Sequence, residues 1–244
     1  MYQKIKNLVK GIIPKRVLFK AEPWLRPLLY QFYRGNNFQC NICNKQLRRF
    51  ISLGEDKLCP YCGSLSRTRR LWDILYAQFL EKGSVILDFS PARCVYRGLK
   101  KNTSIHYVGS DLSGDFLSDV RFDITNIDVE SNKFDVIICY HVLEHIENDS
   151  QAMKELYRVL REGGSCIVQT PFKEGDIYEN PAINDGAGRL KHFGQKDHVR
   201  IYSVNGLKER LIKSGFQVTI QEFTEEENNR FGFRTKEVVI FGSK

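Results

Sequence analysis

The sequence predicts an α/β fold, a parallel sheet with helices on both faces, preceded by a small metal-binding ribbon. Three observations carry this reading. Residues 134–172, FDVIICYHVLEHIENDSQAMKELYRVLREGGSCIVQTPF, have the pattern strand, helix, strand. Upstream, SVILDFSP and IHYVGSDLS each run apolar into an aspartate. Four cysteines stand at the spacing C-x2-C-x15-C-x2-C. A strand–helix–strand crossover makes its two strands parallel, and chemistry in such sheets gathers at the strands' carboxyl ends.

Within the crossover, Val136–Cys139 is a short apolar, β-branched run suited to a strand buried on both faces. Asn148 or Asp149 caps the helix that follows. Ala152, Met153, Leu156, Val159 and Leu160 recur at helical spacing and give it one apolar face. Gly163 and Gly164 are expected to stop that helix in a left-handed turn, and Cys166–Thr170 forms the next strand. The strand carboxyl ends then lie at Cys139–His145 and Thr170–Phe172.

Taken from the start, residues 5–13 place Ile5, Leu8, Val9, Ile12 and Ile13 on one helical stripe, with Lys4, Lys6 and Lys10 mostly off it and Pro14 ending the run. The aromatic segment WLRPLLYQFYR follows. A basic amphipathic segment over residues 1–35 suits an anionic membrane surface, or packing on the protein's own body.

Cys40, Cys43, Cys59 and Cys62 read as a structural zinc ribbon over residues 36–65. Each C-x2-C knuckle brings two thiolates to one Zn2+, and the closed four-thiolate set leaves no open position for catalysis. Arg48, Arg49, Arg67, Arg69 and Arg70 surround it and argue for RNA as a second kind of partner. Arg67–Arg70 also open a helix whose apolar face is Leu71, Ile74, Leu75 and Phe79, which makes them its solvated start.

The rest, residues 66–244, forms the sheet domain. Asp88 ends its first strand, and Pro91 is placed to open a helix. Asp111 ends the second strand 23 residues later, the separation at which an acid reaches both ribose hydroxyls of a nucleotide. VRFDIT places Asp123 at the end of a short third strand. About 30 residues separate Thr170 from the next helix, Ser203–Ser214. That long loop is dense in His192, Gln195, Asp197, His198, Arg200 and Tyr202, so it is expected to shape an acceptor pocket. FQVTIQEF and EVVIFGS close the sheet, and Glu225–Glu227 is a solvated loop.

The chain carries 37 Lys and Arg against 29 Asp and Glu. Residues 1–80 hold 15 basic against 4 acidic and residues 81–244 hold 22 against 25, so the excess belongs to the N-terminal third. No apolar run approaches the ~20 residues that span a bilayer, and the first residues lack a signal peptide's apolar core. A cytoplasmic setting is expected, with peripheral contact at the inner face of the membrane. The seven cysteines are then thiols or metal ligands rather than disulfides.

FDVIICYHVLEHI, the LYRVLREGG segment and the strand after it resemble class I S-adenosylmethionine-dependent methyltransferases, and more narrowly their small-molecule and quinone branch. The resemblance covers about residues 84–242. It implies a Rossmann-like sheet of about seven strands, the last antiparallel. S-adenosyl-L-methionine is the cofactor it implies: Asp88 with Phe89, Ser90 and Pro91 on its methionine side, Asp111 and Leu112 on its ribose, and Asp123 and Ile124 on its adenine. Cys139, Tyr140 and His141 complete the cofactor-binding set. The family's first loop is glycine-rich, whereas DFSPARC has no glycine and Ser90–Pro91 must make the turn. Bacterial methyltransferases encoded with sugar and surface-polysaccharide genes are similar in both this proline turn and the ribbon. His141, Glu144 and His145 stand where quinone O-methyltransferases carry metal-binding acids, although a charged helix start with a packed imidazole explains them equally.

The reaction so implied is methyl transfer to a hydroxyl or amine of a small molecule or sugar unit. RNA methylation is a second reading, and a non-catalytic scaffold of the same fold a third. His198, oriented by Asp197, is the expected general base and His141 the next candidate. Phe172, His192, Gln195, Arg200 and Tyr202 are the expected acceptor contacts.

Overall fold

The computed structural model describes residues 15–244, and side chains from residue 21 onward. The stripe of residues 5–13 lies outside the described residues. Helix α1 (Lys15–Gln31) contains Pro23 and Pro27. The ribbon follows as two short hairpins: β1 (Arg34–Gln39) pairs with β2 (Gln46–Leu47), and β3 (Ile51–Leu53) with β4 (Asp56–Leu58). Helix α2 (Ser66–Gln78) then leads into the sheet.

Six strands form that sheet: β5 (Val85–Phe89), β6 (His106–Ser110), β7 (Phe134–Tyr140), β8 (Leu160–Gln169), β11 (Gln217–Phe223) and β12 (Glu237–Ser243), in the order β11-β12-β8-β7-β5-β6. β6, β5, β7 and β8 are mutually parallel, and β12 runs antiparallel to both its neighbours. Leu87, Phe89, Ile137, Cys139 and Val168 face one core with helices α4 (Asp149–Val159) and α6 (Val204–Lys213). Ile86, Val136, Ile138 and Ile167 face the other, with α2 and α3 (Arg93–Leu99). Apolar residues on both sides of the central strands therefore force a helical layer on each face.

Several expectations are corrected. The third strand is reduced to isolated bridges, Ser110 to Val120 and Asp123 to Asn126; this edge segment is polar, and Asp123 spends its carboxylate on its own turn. Gly163 and Gly164 do not end α4, which stops at Val159. They lie inside β8, where Phe134 faces Leu160 but Val136 already faces Ser165. Gly163 takes φ 74° there, and a Cβ on Gly164 would stand 2.9 Å from the Asp135 carbonyl oxygen. Pro91 precedes α3 without opening it, because Ala92 is the residue that caps it. The long connection after Thr170 is not structureless: it holds β9 (Tyr178–Glu179) paired with β10 (Arg200–Ile201), and helix α5 (Gly186–Phe193). Asn148 caps α4 through Gln151 N, and Ser203 caps α6 through Gly206 N.

Arg69 ties the ribbon to the sheet domain. Fully buried at the start of α2, it donates to the carbonyls of Lys57 and Ser64 in the ribbon and of Phe231 and Gly232 before β12. Its guanidinium lies 4.0 Å over the Phe50 ring. Gln39 N adds a bond to Arg230 O. Replacing Arg69 with Leu strips four buried or partly buried carbonyls of a charged donor. At about 1–3 kcal/mol per buried group left without a partner, Arg69→Leu should destabilise the chain by at least ~3 kcal/mol in denaturant unfolding. An unchanged midpoint would mean water replaces the guanidinium.

Candidate functional site

The site grows from the carboxyl ends of β5, β6, β7 and β8. At the end of β5, Asp88 is buried and accepts a 2.9 Å hydrogen bond from the Tyr107 hydroxyl. Burial pushes its pKa up to about 7 although that bond opposes the shift. Ser90 follows with φ 49°, the left-handed backbone that glycine would adopt freely. The turn is held by Ser90 N on Ser110 O at 2.7 Å and by Ser90 Oγ on Asp111 Oδ1 at 3.1 Å. The serine thus does the missing glycine's conformational work and binds the next acid as well.

Asp111 is buried at the end of β6 and accepts from Ser90 Oγ, Ser113 Oγ and Phe116 N. A carboxylate that takes bonds from two serine hydroxyls has the acceptor chemistry that a ribose diol requires. Leu112 beside it is exposed and Ile124 buried, while the exposed Asp123 accepts from Thr125 N and Oγ1. These positions border one edge of the sheet, as the order β5-β6 requires.

β7 delivers Cys139, buried in the core, then Tyr140 and His141. His141 has φ 56°, a strained conformation of the kind that functional sites retain. Its Nδ1 lies 3.1 Å from Glu144 Oε1. Burial is the largest influence on the Glu144 carboxyl and tends to raise it, but the hydrogen bond and charge of His141, a backbone N–H and the charge of His145 together hold the group below its ordinary range. An ionised carboxylate only accepts, so Nδ1 carries the proton and Nε2 presents a bare lone pair. Burial also keeps the imidazole pKa below its ordinary value, so it stays neutral at pH 7.

Among the described residues, buried side-chain atoms without a partner include Tyr140 Oη, His141 Nε2, Glu144 Oε2, Gln169 Oε1, Thr170 Oγ1, His198 Nε2 and both carboxylate oxygens of Glu237. Nearly all buried polar groups in proteins are paired, so their gathering along one edge marks a place for a polar ligand. Tyr140 faces Gln169 across the β7–β8 pair, and the pairing of Ile240 with Val168 carries Glu237 just past the end of β8. Burial raises the Glu237 carboxyl to about 6. Over this edge the ribbon contributes Asp56, which pairs with Arg67 at 3.0 Å and Arg234 at 2.7 Å. Neither Glu237 nor Gln169 stood out in the sequence; Glu237 merely opens an apolar strand, and only its register reveals it.

The expected acceptor contacts are placed differently. Arg200 is buried and donates to Glu179 and to the carbonyls of Leu143, Ile146 and Glu147, so it pins the loop and is not an acceptor contact. Tyr202 is fully buried, with its hydroxyl on Asp149, and serves packing likewise. Asp197 does not orient His198. The exposed Asp197 turns to His145 Nδ1, at 3.4 Å through Oδ2, while His198 turns inward to lie edge-on to His145 at 4.7 Å. One ligand atom each of Glu144, His145 and His198 falls within 4.8 Å of the others. His192 is exposed and bonded to the Tyr178 hydroxyl at 2.8 Å, Gln195 is exposed, and Phe172 is half-buried beside Tyr202.

The four ribbon cysteines do converge, with ligand atoms all within 4.8 Å of one another. Cys40 and Cys62 sulfurs lie 3.6 Å apart, and Cys43 and Cys59 3.8 Å. The two knuckles match: Asn44 N donates to Cys40 O and Gly63 N to Cys59 O, with φ 56° and 78°. Hydrogen bonds from Cys43, Cys59 and Cys62 hold the Cys40 thiol well below its ordinary range. Ser64 Oγ lies 3.3 Å from both Cys40 Sγ and Cys62 Sγ and also takes a bond from Arg69. A divalent ion with four thiolates carries net negative charge, and this buried guanidinium is placed to offset it. Of the basic residues around the ribbon, Arg69 and Arg70 are buried, Arg70 against the Phe223 and Phe233 rings.

A mostly parallel six-stranded sheet with acids on successive strand ends and an antiparallel last strand defines a Rossmann-like methyltransferase fold. A family profile described as a methyltransferase domain matches residues 65–221, and the chain belongs to this family of S-adenosylmethionine-dependent methyltransferases. Among solved structures, an S-adenosylmethionine-dependent methyltransferase of Archaeoglobus fulgidus superposes with TM-score 0.52 at 17% identity, over 75% of this chain and 95% of that one. Another from Mesorhizobium loti gives 0.51 at 16% identity, over 70% and 96%; both likenesses concern the fold. Among curated proteins, a tRNA U34 carboxymethyltransferase of Sulfurovum is 22% identical over 59% of this chain and 44% of its own. An uncharacterized protein of Methanocaldococcus jannaschii is 30% identical over 35% and 36%. The chain spans less than half the length of either curated relative. Among the described residues no helix is long and apolar enough to cross a membrane.

Proposed function

We propose that the chain methylates a hydroxyl of a polar small molecule or sugar unit, with His141 as general base. The observation that carries this is the Glu144–His141 dyad, whose Nε2 is buried without a partner at the carboxyl ends of β7 and β8, where Tyr140, Gln169 and Thr170 also leave polar atoms unpartnered. S-adenosylmethionine, when bound, supplies an electrophilic methyl group. Asp111 would hold its ribose, Asp88 and the Ser90 turn its methionine side, and Asp123 its adenine. His141 Nε2 takes the proton of the attacking hydroxyl, and Glu144 stabilises the imidazolium that forms. A neutral amine already has a free lone pair, so a positioned base favours the hydroxyl acceptor. Tyr140, Gln169 and Glu237 offer mainly acceptor atoms, which suits a ligand rich in hydroxyl donors. The Cys40, Cys43, Cys59 and Cys62 cluster would hold a structural Zn2+.

Calorimetry with S-adenosylhomocysteine and the variant Asp111→Asn tests the cofactor assignment. Charge-assisted hydrogen bonds contribute about 1.5–3 kcal/mol each, so affinity should fall at least tenfold. Because Asp111 also anchors Ser90, Ser113 and Phe116 N, some loss of melting temperature accompanies it, and asparagine limits that loss by keeping one acceptor. Equal affinity in both proteins would place the ribose elsewhere. The acceptor class is tested by offering hydroxylated small molecules, nucleotide sugars and tRNA with isotope-labelled methyl donor; label in tRNA alone would overturn the small-molecule assignment.

A further inference from the structure

From residue 21 onward, helix α1 is mounted with its polarity reversed. A surface helix ordinarily turns its apolar face to the core. Here the inward face is polar: Glu22 binds Arg26 and, on α3, Arg93 and Arg97, at 2.7–3.1 Å. Arg26 also reaches the carbonyls of Cys59 and Pro60, and Tyr30 donates to Gln46 O and meets the Tyr61 ring edge-on. The outward face carries Trp24, Leu25, Leu28 and, in the closing turn, Phe32, which are 81%, 54%, 67% and 72% exposed. At 3.6 residues per turn these four fall within a ~100° arc. Scattered exposed apolar residues need no explanation, but a contiguous stripe on a helix held by its polar side does.

We propose that this stripe docks on an anionic bilayer surface, with α1 lying in the membrane interface. Charge selects that occupant. Residues 1–35 contain eight Lys and Arg against one acid, Glu22, and that acid is consumed inside the protein by three arginines. A second copy would bring a like-charged segment against the first, whereas anionic headgroups complement it. An indole with neighbouring leucines and a phenylalanine suits the boundary between headgroups and acyl chains. Docking would hold the methyltransferase domain at the surface, since Glu22 fastens α1 to α3 and Arg26 fastens it to the ribbon.

The chain's two tryptophans make the test direct, because Trp24 is exposed and Trp72 is 6% exposed in the core. Full-length protein is mixed with vesicles of phosphatidylcholine containing 30% phosphatidylglycerol, and with pure phosphatidylcholine. We expect cosedimentation at least tenfold stronger on the anionic vesicles, weakened by salt, with a blue shift of the Trp24 emission that is absent in Trp24→Phe. The double variant Trp24→Ser, Leu28→Ser should lose at least tenfold in vesicle binding with its melting temperature unchanged. Reversing Lys4, Lys6 and Lys10 to Glu should weaken binding with the stripe intact. Equal binding to both vesicle types, no binding, or a stripe-dependent dimer in light scattering without vesicles would each overturn the assignment.

Discussion

Cys59→Ser should remove the metal from the ribbon and unfold the N-terminal third. Zinc content should drop from about one ion per chain to well below it, because three thiolates do not close the tetrahedron. Structural zinc in small domains contributes apparent free energies of about 10–16 kcal/mol at neutral pH, so even partial loss is large on the scale of a domain's stability. The effect spreads beyond the ribbon. Cys59 is fully buried, and the backbone around it receives Arg26 from α1 while Ser64 and Lys57 receive Arg69. Losing ~5 kcal/mol in a chain of this size lowers the melting temperature by on the order of 10 °C or more. The check is metal analysis together with thermal unfolding. Wild-type protein purified without chelator and free of zinc would refute the metal assignment outright.

His141→Asn should lower turnover on an identified acceptor by about 10²–10⁴-fold, the usual loss on removing a general base. Asparagine is chosen because residue 141 sits at φ 56°, where it is tolerated better than most residues. S-adenosylhomocysteine affinity should change little, which separates lost chemistry from lost binding. The pH profile gives a second reading. The working form of His141 is the neutral imidazole, and burial lowers its pKa from the ordinary 6.5. The rate should therefore be flat at neutral pH and fall as pH drops through a value below 6.5, while the variant loses that acid limb. If turnover and acid limb both survive, the base is His198, whose Nε2 is also buried without a partner among the described residues.

The layered fold was legible because its signals are local. Strand runs, the Asn148 cap, the apolar face of α4 and the cysteine spacing each depend on residues within about a turn or a strand of one another. The glycine pair misled because Gly163–Gly164 satisfies a helix stop and a strand irregularity equally well; the backbone approach of Asp135 to Gly164 decides between them. The third strand failed for a related reason. An edge segment gains hydrogen bonds from one neighbour only, so Asp123 and its turn outweigh the ladder.

Which histidine is free to act as a base depends on contacts that spacing does not encode. His198 beside Asp197 looked like an oriented base, yet Asp197 lies in a turn and is exposed while His198 is buried, and Asp197 pairs with His145 instead. His141 and Glu144, three residues apart, were legible as neighbours, but that Glu144 stays ionised against its burial and leaves Nε2 bare follows only from the 3.1 Å contact and the groups around it.

By itself the sequence determined the family, the order of the main sheet strands and helices, the four cysteines that converge and the basic character of the N-terminal third, because each is written in spacing or composition. The tertiary structure alone decided which polar groups are left without partners, that Arg69 and Arg200 are structural, and that α1 turns its apolar stripe outward. Those outcomes depend on which distant segments compete for each side chain, and that competition is settled only when the ribbon, the sheet edge and the residue 224–236 loop are packed together.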